Sequence, residues 1–336
     1  METWDILRNV WFILVGVLLA GYSVLDGFDL GVGVLLPFLA RNEDEKTSLV
    51  RSIGPVWDGN EVWLLTGGGA LFAAFPHAYA TVFSGFYLAL MLVLFSLILR
   101  AVSLEFRSHG GARKGLWEGT FVIGSFLPAL LFGVALGNVV VGVPLDAQME
   151  YAGNFFTLLR PLPLVFGLLG LAAFLLHGNT WAALKTSGAL QERARRTARA
   201  MAFITGSLYL LSFVAAWIYL PGALKRIAAW IFAGLVWLSL GLLLSALKKR
   251  KDGRAFLFSS CVFLSLWGNV GAIHYPNLVR ATDPALSLTI TNASSSALTL
   301  KVMLIIAIVG MPLVIAYTIY AYRVFKGKVG VDDTGY

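Results

Sequence analysis

Long apolar runs separated by short polar stretches make up most of the chain. A helix needs about 20 mostly apolar residues to cross the hydrocarbon core of a bilayer. Nine segments reach roughly that length, at 9–38, 56–75, 78–103, 118–142, 160–180, 198–220, 226–247, 255–276 and 298–324. Backbone polar groups in lipid must pair within the protein. The pattern therefore predicts an all-α integral membrane protein, a polytopic bundle of about nine transmembrane helices.

The second of these segments departs most from the pattern. It begins with Asp58, Asn60 and Glu61 and contains three consecutive glycines at 67–69. The longest predicted loop, 277–297, is rich in Ser, Thr and Asn, and no soluble domain interrupts the series. We therefore expect one membrane domain over residues 1–328, followed by a short tail over 329–336.

The basic residues predict how the bundle is oriented. Of the 26 Lys and Arg residues, 20 lie on one alternating set of loops and ends, and six lie on the other. Loops that carry an excess of Lys and Arg face the cytoplasm. We therefore expect a periplasmic N-terminus, a cytoplasmic C-terminus and a cytoplasmic tail.

Composition agrees with a membrane protein and removes other classes. The chain is 58% apolar and 13% charged, whereas soluble domains average about 45–50% and about 25%. These values exclude a soluble enzyme, a disordered protein and a nucleic-acid-binding protein. The net charge of +8 then reflects the cytoplasmic excess of Lys and Arg. With Cys261 as the one cysteine, an intrachain disulfide and a thiolate metal site are impossible.

Two acid-x-x-acid motifs carry the candidate chemistry, because acids inside membrane segments are costly unless paired, protonated or hydrated. The first is Asp26–Asp29 and the second is Asp58–Glu61, which includes Asn60. Residues three apart share a helix face, so each motif presents two carboxylates on one side, and both lie near the cytoplasmic end. We expect a proton path there, or a monovalent cation that neutralises the carboxylates. The alternative is that the acids face cytoplasmic water, with Asp58 capping its helix.

Other polar residues have weaker interpretations. Glu105 lies beside Arg107 at the cytoplasmic end of the third segment, either as part of a solvated ion-pair cluster or as a proton antenna. Haem ligation usually takes His or Met side chains within the spans. The four histidines, His77, His109, His177 and His274, show no paired spacing, so the sequence does not predict a haem site in this chain.

The acid motifs resemble those of subunit II of the cytochrome bd ubiquinol oxidases. The similarity rests on DGFDLGVG at 26–33 and GPVWDGNEVW at 54–63, and on further matches at 66–76, 83–87, 100–107, 151–156 and 295–299. It runs from residue 1 to about 328, although 185–255 matches in hydropathy alone. Val56 and Glu61 stand where some relatives carry His and Gln.

This resemblance implies a specific complex in the bacterial cytoplasmic membrane. Subunit I would carry two b-type haems and one d-type haem, and the complex would reduce O2 to water with electrons from quinol, without pumping protons. Small single-helix subunits can accompany the pair. Subunit II would contain no haem, could hold a structural quinone or lipid, and would contribute acids to a cytoplasmic proton path. Asp58 would lie at the mouth of that path and Asp29 close by, with a cation bridging them.

Two other functions remain open at this point. The chain could be a purely structural scaffold within the oxidase, its acids binding only a cation. It could instead be an ion-coupled secondary transporter, because intramembrane acids beside glycines are typical of broken-helix ion sites. A transporter of that kind should show inverted repeats and a midplane site, and the sequence shows neither.

Overall fold

The computed structural model describes residues 3–108, 111–220 and 222–329. Helix dominates this part of the chain. The first six helices are α1 (Thr3–Leu25), α2 (Gly27–Leu39), α3 (Glu43–Ile53), α4 (Trp57–Ala74), α5 (Pro76–Gly85) and α6 (Tyr87–Arg107). The next six are α7 (Lys114–Val141), α8 (Pro161–Lys185), α9 (Gly188–Tyr219), α10 (Ile227–Lys248), α11 (Asp252–His274) and α12 (Ala297–Val324).

The prediction of an all-α polytopic bundle is confirmed, with one difference in the segments. Within the described residues, eight helical segments are long and apolar enough to cross a membrane, with α1 and α2 together forming one of them. The predicted segment 56–75 does form a helix, α4, but it is not among the eight. The polar side chains of Asp58, Asn60 and Glu61 in its first turns lower its hydropathy. Most of the predicted tail, 330–336, lies outside the described residues.

Two predicted segments are each divided into two helices. The run 9–38 is interrupted at Asp26, where α1 gives way to α2. The run 78–103 lies within α5 and α6, which meet at Phe86. Long apolar stretches flank both breaks, so average hydropathy along the chain does not reveal them.

Helix α2 occupies the centre of the bundle, where it packs against α7 and α8. Its contact with α8 is close enough to require glycine on both sides. A Cβ atom at Gly31 would collide with the backbone oxygen of Phe174, and one at Gly178 would lie 2.5 Å from the backbone of Gly31. This close approach fixes the position of the acid motif that precedes Gly31.

The predicted outer end of the bundle is closed by the loops before α8 and α12. Strands β1 (Asn277–Val279) and β2 (Leu288–Thr289) pair antiparallel, and Val143 bridges to Ala281. Ser296 caps α12 by accepting a hydrogen bond from the Thr299 amide. An apolar core around Trp11, Phe75 and Leu300 lies beneath these loops.

Candidate functional site

Both acids of the first motif are fully buried at the break between α1 and α2. Asp26 occupies the N-cap position of α2, but its side chain makes no capping hydrogen bond. Asp29 lies in the first turn of α2. Both side chains are 0% exposed, and both carboxylates point toward α6. The shared side that the three-residue spacing predicts is therefore present.

Arg100 of α6 is the positive charge that these carboxylates face. Its guanidinium binds Asp26 with two parallel hydrogen bonds, Nη1 to Oδ2 at 2.9 Å and Nη2 to Oδ1 at 2.6 Å. Asp29 Oδ2 lies 3.9 Å from Nη2. Arg100 is itself 0% exposed. A two-pronged pair of this kind is among the strongest in proteins.

Helix α4 adds the second motif to the same group. Asn60 donates a hydrogen bond from Nδ2 to Asp29 Oδ2 at 2.7 Å. Glu61 Oε1 lies 3.2 Å from Arg100 Nη1, with its side chain 24% exposed. From α12, Tyr322 donates a hydrogen bond to Asn60 Oδ1 at 2.9 Å. We refer to Asp26, Asp29, Asn60, Glu61 and Arg100 as the acid cluster.

The acid cluster has more acids than bases. Three carboxylates face one guanidinium. Asp29 Oδ1 is buried and has no hydrogen-bond partner within the described residues. A buried carboxylate oxygen without a hydrogen bond is costly, and more so where the nearest positive charge is already paired with another acid. The arrangement therefore favours binding of a proton or a small cation at Asp29, and it provides a free oxygen for either.

A second ion network lies seven residues further along α6, toward the predicted cytoplasmic end. Arg107 binds Glu118 at 2.9 Å and Glu43 at 3.4 Å. Lys46 pairs with Glu118 at 2.8 Å, and Lys114 pairs with Glu43 at 2.6 Å. Hydrogen bonds from Lys114 and Lys46 lower the pKa of Glu43 to about 2. We refer to these five residues as the surface network.

Comparison with solved structures identifies the fold. The bundle matches a chain of the structure of bd oxidase from Geobacillus thermodenitrificans with a TM-score of 0.81. The match covers 95% of this chain and 98% of that chain, at 18% identity. At this identity the likeness is one of fold.

Sequence comparison identifies the family. The family model for cytochrome bd terminal oxidase subunit II matches residues 7–325. The chain belongs to this family. Cytochrome bd-I ubiquinol oxidase subunit 2 of Escherichia coli (strain K12) is 37% identical, and the match covers 99% of this chain and 98% of the relative. Cytochrome bd ubiquinol oxidase subunit 2 of Bacillus subtilis (strain 168) is 36% identical, covering 96% and 97%.

Membership of the subunit II family agrees with the membrane segments. The part of the chain that the structure describes contains eight apolar helical segments, and this subunit II is a multi-pass protein of the bacterial cytoplasmic membrane. The family resemblance stated from the acid motifs is thereby confirmed.

The other predicted site residues of this subunit II lie on its surface. Asp58 is exposed in the first turn of α4. The N-cap of α4 is Val56, so the interpretation of Asp58 as the capping residue is wrong. Glu105 is exposed on α6. The ion pairs of Arg107 are with Glu118 and Glu43, which come from α7 and α3.

Arg100 and Tyr322 are the two site residues that sequence reasoning missed. The alternation of basic residues predicts that Arg100 lies in a cytoplasmic loop, but this residue is buried within α6. Its position inside the apolar run 87–104 was the available signal. Tyr322 has no local signal, because it lies 262 residues from its partner Asn60.

The three histidines that the structure describes show no arrangement typical of haem ligation. Both ring nitrogens of His177 are engaged, at 2.7 Å from Ser259 Oγ and 2.9 Å from the Val24 carbonyl oxygen. His274 is buried near the opposite end of the bundle, and His109 lies outside the described residues. Within the described residues, no group of three or more His, Cys, Asp or Glu side chains is arranged to hold a metal ion.

Proposed function

We propose that this chain works as subunit II of a quinol oxidase complex, and that its acid cluster takes up protons from the cytoplasmic side. The relatives from Escherichia coli and Bacillus subtilis are ubiquinol oxidase subunits by name. In this proposal subunit I carries the b-type and d-type haems and oxidises the quinol. Subunit II supports subunit I and delivers protons for the reduction of O2.

The observation that carries the proton role is the charge imbalance of the acid cluster. Arg100 is paired with Asp26 through two hydrogen bonds. No second cation of the acid cluster balances the charges of Asp29 and Glu61. Asp29 has a free, buried oxygen. Proton-conducting sites in membranes use acids that face the bundle interior. Asp29 is therefore the proposed proton-binding group.

The exposed acids suggest where protons arrive. Asp58 is exposed in the first turn of α4. Glu61 lies about one turn further along, partly exposed and in contact with Arg100. Asn60 connects the same helix to Asp29. We propose the order Asp58, Glu61, Asp29, with Glu105 as a second surface acid that attracts protons.

The exposed apolar surface provides room for partners. Leu300 is the one buried residue of α12, and all residues of that helix after it are at least partly exposed. Apolar side chains of α4 and α6 such as Leu65 and Phe95 are also exposed. An apolar surface of this size must be covered by lipid or protein. We propose subunit I and lipid as the main occupants, with small single-helix subunits and a structural quinone as further ones.

The test is turnover of the assembled complex at matched haem content. The tagged chain should co-purify in mild detergent with a larger subunit that has d-type haem absorbance in the red. In that complex, Asp29→Asn should slow quinol-driven O2 consumption by about 100-fold, the lower range for loss of a proton-transfer group. Asp58→Asn should slow it less, because water reaches the surface without that residue.

Asp44→Asn is the matched control. Asp44 is an exposed acid in the first turn of α3, so the same substitution there should leave turnover unchanged. A chain that purifies alone and colourless would contradict the complex. Full turnover in an assembled Asp29→Asn complex would contradict the proton role. If the Asp29→Asn complex reached full turnover only with added Na⁺ or K⁺, a scaffold role with a bound cation would replace the proton role.

A further inference from the structure

His177 is a fully buried titratable residue to which the proposed proton path gives no role. It lies within α8, 0% exposed. Three aromatic rings surround it: Phe256 is stacked at 4.7 Å between centroids, and Phe28 and Phe263 meet it edge-on at 5.8 Å and 5.4 Å. Burying a polar ring in such surroundings is unfavourable unless its nitrogens are hydrogen-bonded.

One ring nitrogen is bonded to the helix break beside the acid cluster. His177 Nε2 lies 2.9 Å from the carbonyl oxygen of Val24. Because that oxygen only accepts, Nε2 carries the proton and donates it. Val24 lies in the last turn of α1, where carbonyl groups lose their intrahelical partners. His177 therefore satisfies a backbone group two residues before Asp26.

The other ring nitrogen is fixed by a network from two helices. Nδ1 lies 2.7 Å from Ser259 Oγ of α11, and Thr180 Oγ1 lies 2.8 Å from the same oxygen. Ser259 and Thr180 are buried as well. These contacts set the orientation of the imidazole ring, just as a second hydrogen bond orients a metal-ligating or catalytic histidine.

The His177 ring also contacts Phe28, the residue that precedes Asp29. Phe28 is stacked on Trp181 at 4.0 Å between centroids and also contacts His177 edge-on, so two rings of α8 hold its side chain. The backbone is thus held from α8 on both sides of Asp26, at Val24 and at Phe28. Arg100 holds the Asp26 carboxylate from α6.

We infer that His177 is a positioning residue, which sets the α1–α2 break so that Asp26 and Asp29 meet Arg100 and Asn60. It acts through the Val24 carbonyl and the Phe28 ring and does not itself touch the acid cluster. Its expected effect on turnover rests on the proposed function, whereas its effect on the geometry of Asp29 does not.

The test compares two substitutions at one position in the assembled complex. His177→Leu removes the donor to Val24, while His177→Gln keeps an N–H donor at about the reach of Nε2. We expect His177→Leu to lower haem-normalised turnover about tenfold, below the ~100-fold that a 1 Å misplacement can cost. His177→Gln should restore most of it. His274→Leu is the control, because neither ring nitrogen of that buried histidine has a hydrogen-bond partner within the described residues.

A spectroscopic measurement separates this inference from the proton role. Infrared difference spectra of the complex at two pH values identify the Asp29 band as the one lost in Asp29→Asn. His177→Leu should shift that band, and His177→Gln and His274→Leu should leave it in place. A shift together with full turnover in Asp29→Asn would support His177 as a positioning residue and contradict the proton path.

Two results would overturn the inference itself. One is an unshifted band in an assembled His177→Leu complex, and the other is an equal shift in the Leu and Gln variants. If His177→Leu does not assemble with haem, Ser259→Ala replaces it, because that variant removes the partner of Nδ1 and leaves the imidazole in place. An unshifted Asp29 band in Ser259→Ala would then overturn the inference.

Discussion

Helix α6 carries two arginines seven residues apart, and their surroundings differ in one decisive respect. Arg100 faces three carboxylates as the one cation of the acid cluster, out of contact with water. Arg107 belongs to the surface network, in which three cations meet two carboxylates at the edge of the bundle. The surface network has all its negative charge compensated. The acid cluster does not, and this difference is the reason that we propose proton binding there.

The largest difference between the two arginines should appear when each is neutralised. Arg100→Gln leaves buried carboxylates without a counter-charge, which costs about 3–5 kcal/mol, and we expect the complex to be lost or to melt much earlier. Arg107 is also buried, with a side chain that is 6% exposed, but its partners Glu118 and Glu43 keep Lys46 and Lys114 as counter-charges. Arg107→Gln should therefore cost less, about 1.5 kcal/mol, the lower value for hydrogen bonds to a charged group. Yield of haem-loaded complex and its melting temperature measure both. Equal losses of yield and melting temperature in the two variants would contradict the claim that Arg100 has the greater burden of uncompensated negative charge.

Removing one acid of the cluster should cost less than removing its base. Asp26→Asn breaks the two-pronged pair, but Arg100 keeps Glu61 at 3.2 Å and Asp29 at 3.9 Å. Loss of hydrogen bonds to a charged group costs about 1.5–3 kcal/mol. The melting temperature should fall between those of the two arginine variants. A complex as unstable as Arg100→Gln would mean that Glu61 and Asp29 do not compensate Arg100.

Tyr322 tests how much the last helix contributes to the cluster. Tyr322→Phe removes the hydrogen bond to Asn60 but keeps the ring contacts with Phe28 and Trp181. We expect a cost of about 1 kcal/mol and a modest loss of turnover, because Asn60 is less firmly oriented toward Asp29. Tyr320→Phe, at an exposed tyrosine of the same helix, is the control and should match wild type in both measurements.

The smallest effect should come from the surface network. Glu43 is largely exposed, so Glu43→Gln should cost no more than about 1 kcal/mol. Its pKa is lowered from 4.5 to about 2 by Lys114 and Lys46, so its contribution is complete above the ordinary value and declines as the pH falls toward 2. The melting-temperature difference between Glu43→Gln and wild type should therefore stay constant from about pH 8 to about pH 5. A difference that disappears within that range would contradict the ion pairs.

The sequence predicted best those features that follow from residue type alone, namely the apolar helices and the acids within them. Apolar runs predicted the helices that cross the membrane, and acids within those runs led to Asp26, Asp29 and Glu61 before any contact was known. The Asp26 break was hidden because both helices that flank it are apolar. The partners Arg100 and Tyr322 were hidden because only the packing of α6 and α12 against the motifs brings them close. Asp58 shares the motif spacing of Asp26 but lies at the surface, since its helix begins there.

The central claim is that the acid cluster of this subunit binds the protons used in O2 reduction. The most direct measurement is proton uptake, followed with a pH indicator, during a single turnover of the assembled complex with and without Asp29→Asn. We predict that the variant takes up protons much more slowly at unchanged haem content, while electron transfer from quinol to haem keeps its wild-type rate. Proton uptake at the wild-type rate in a fully assembled Asp29→Asn complex would contradict the account.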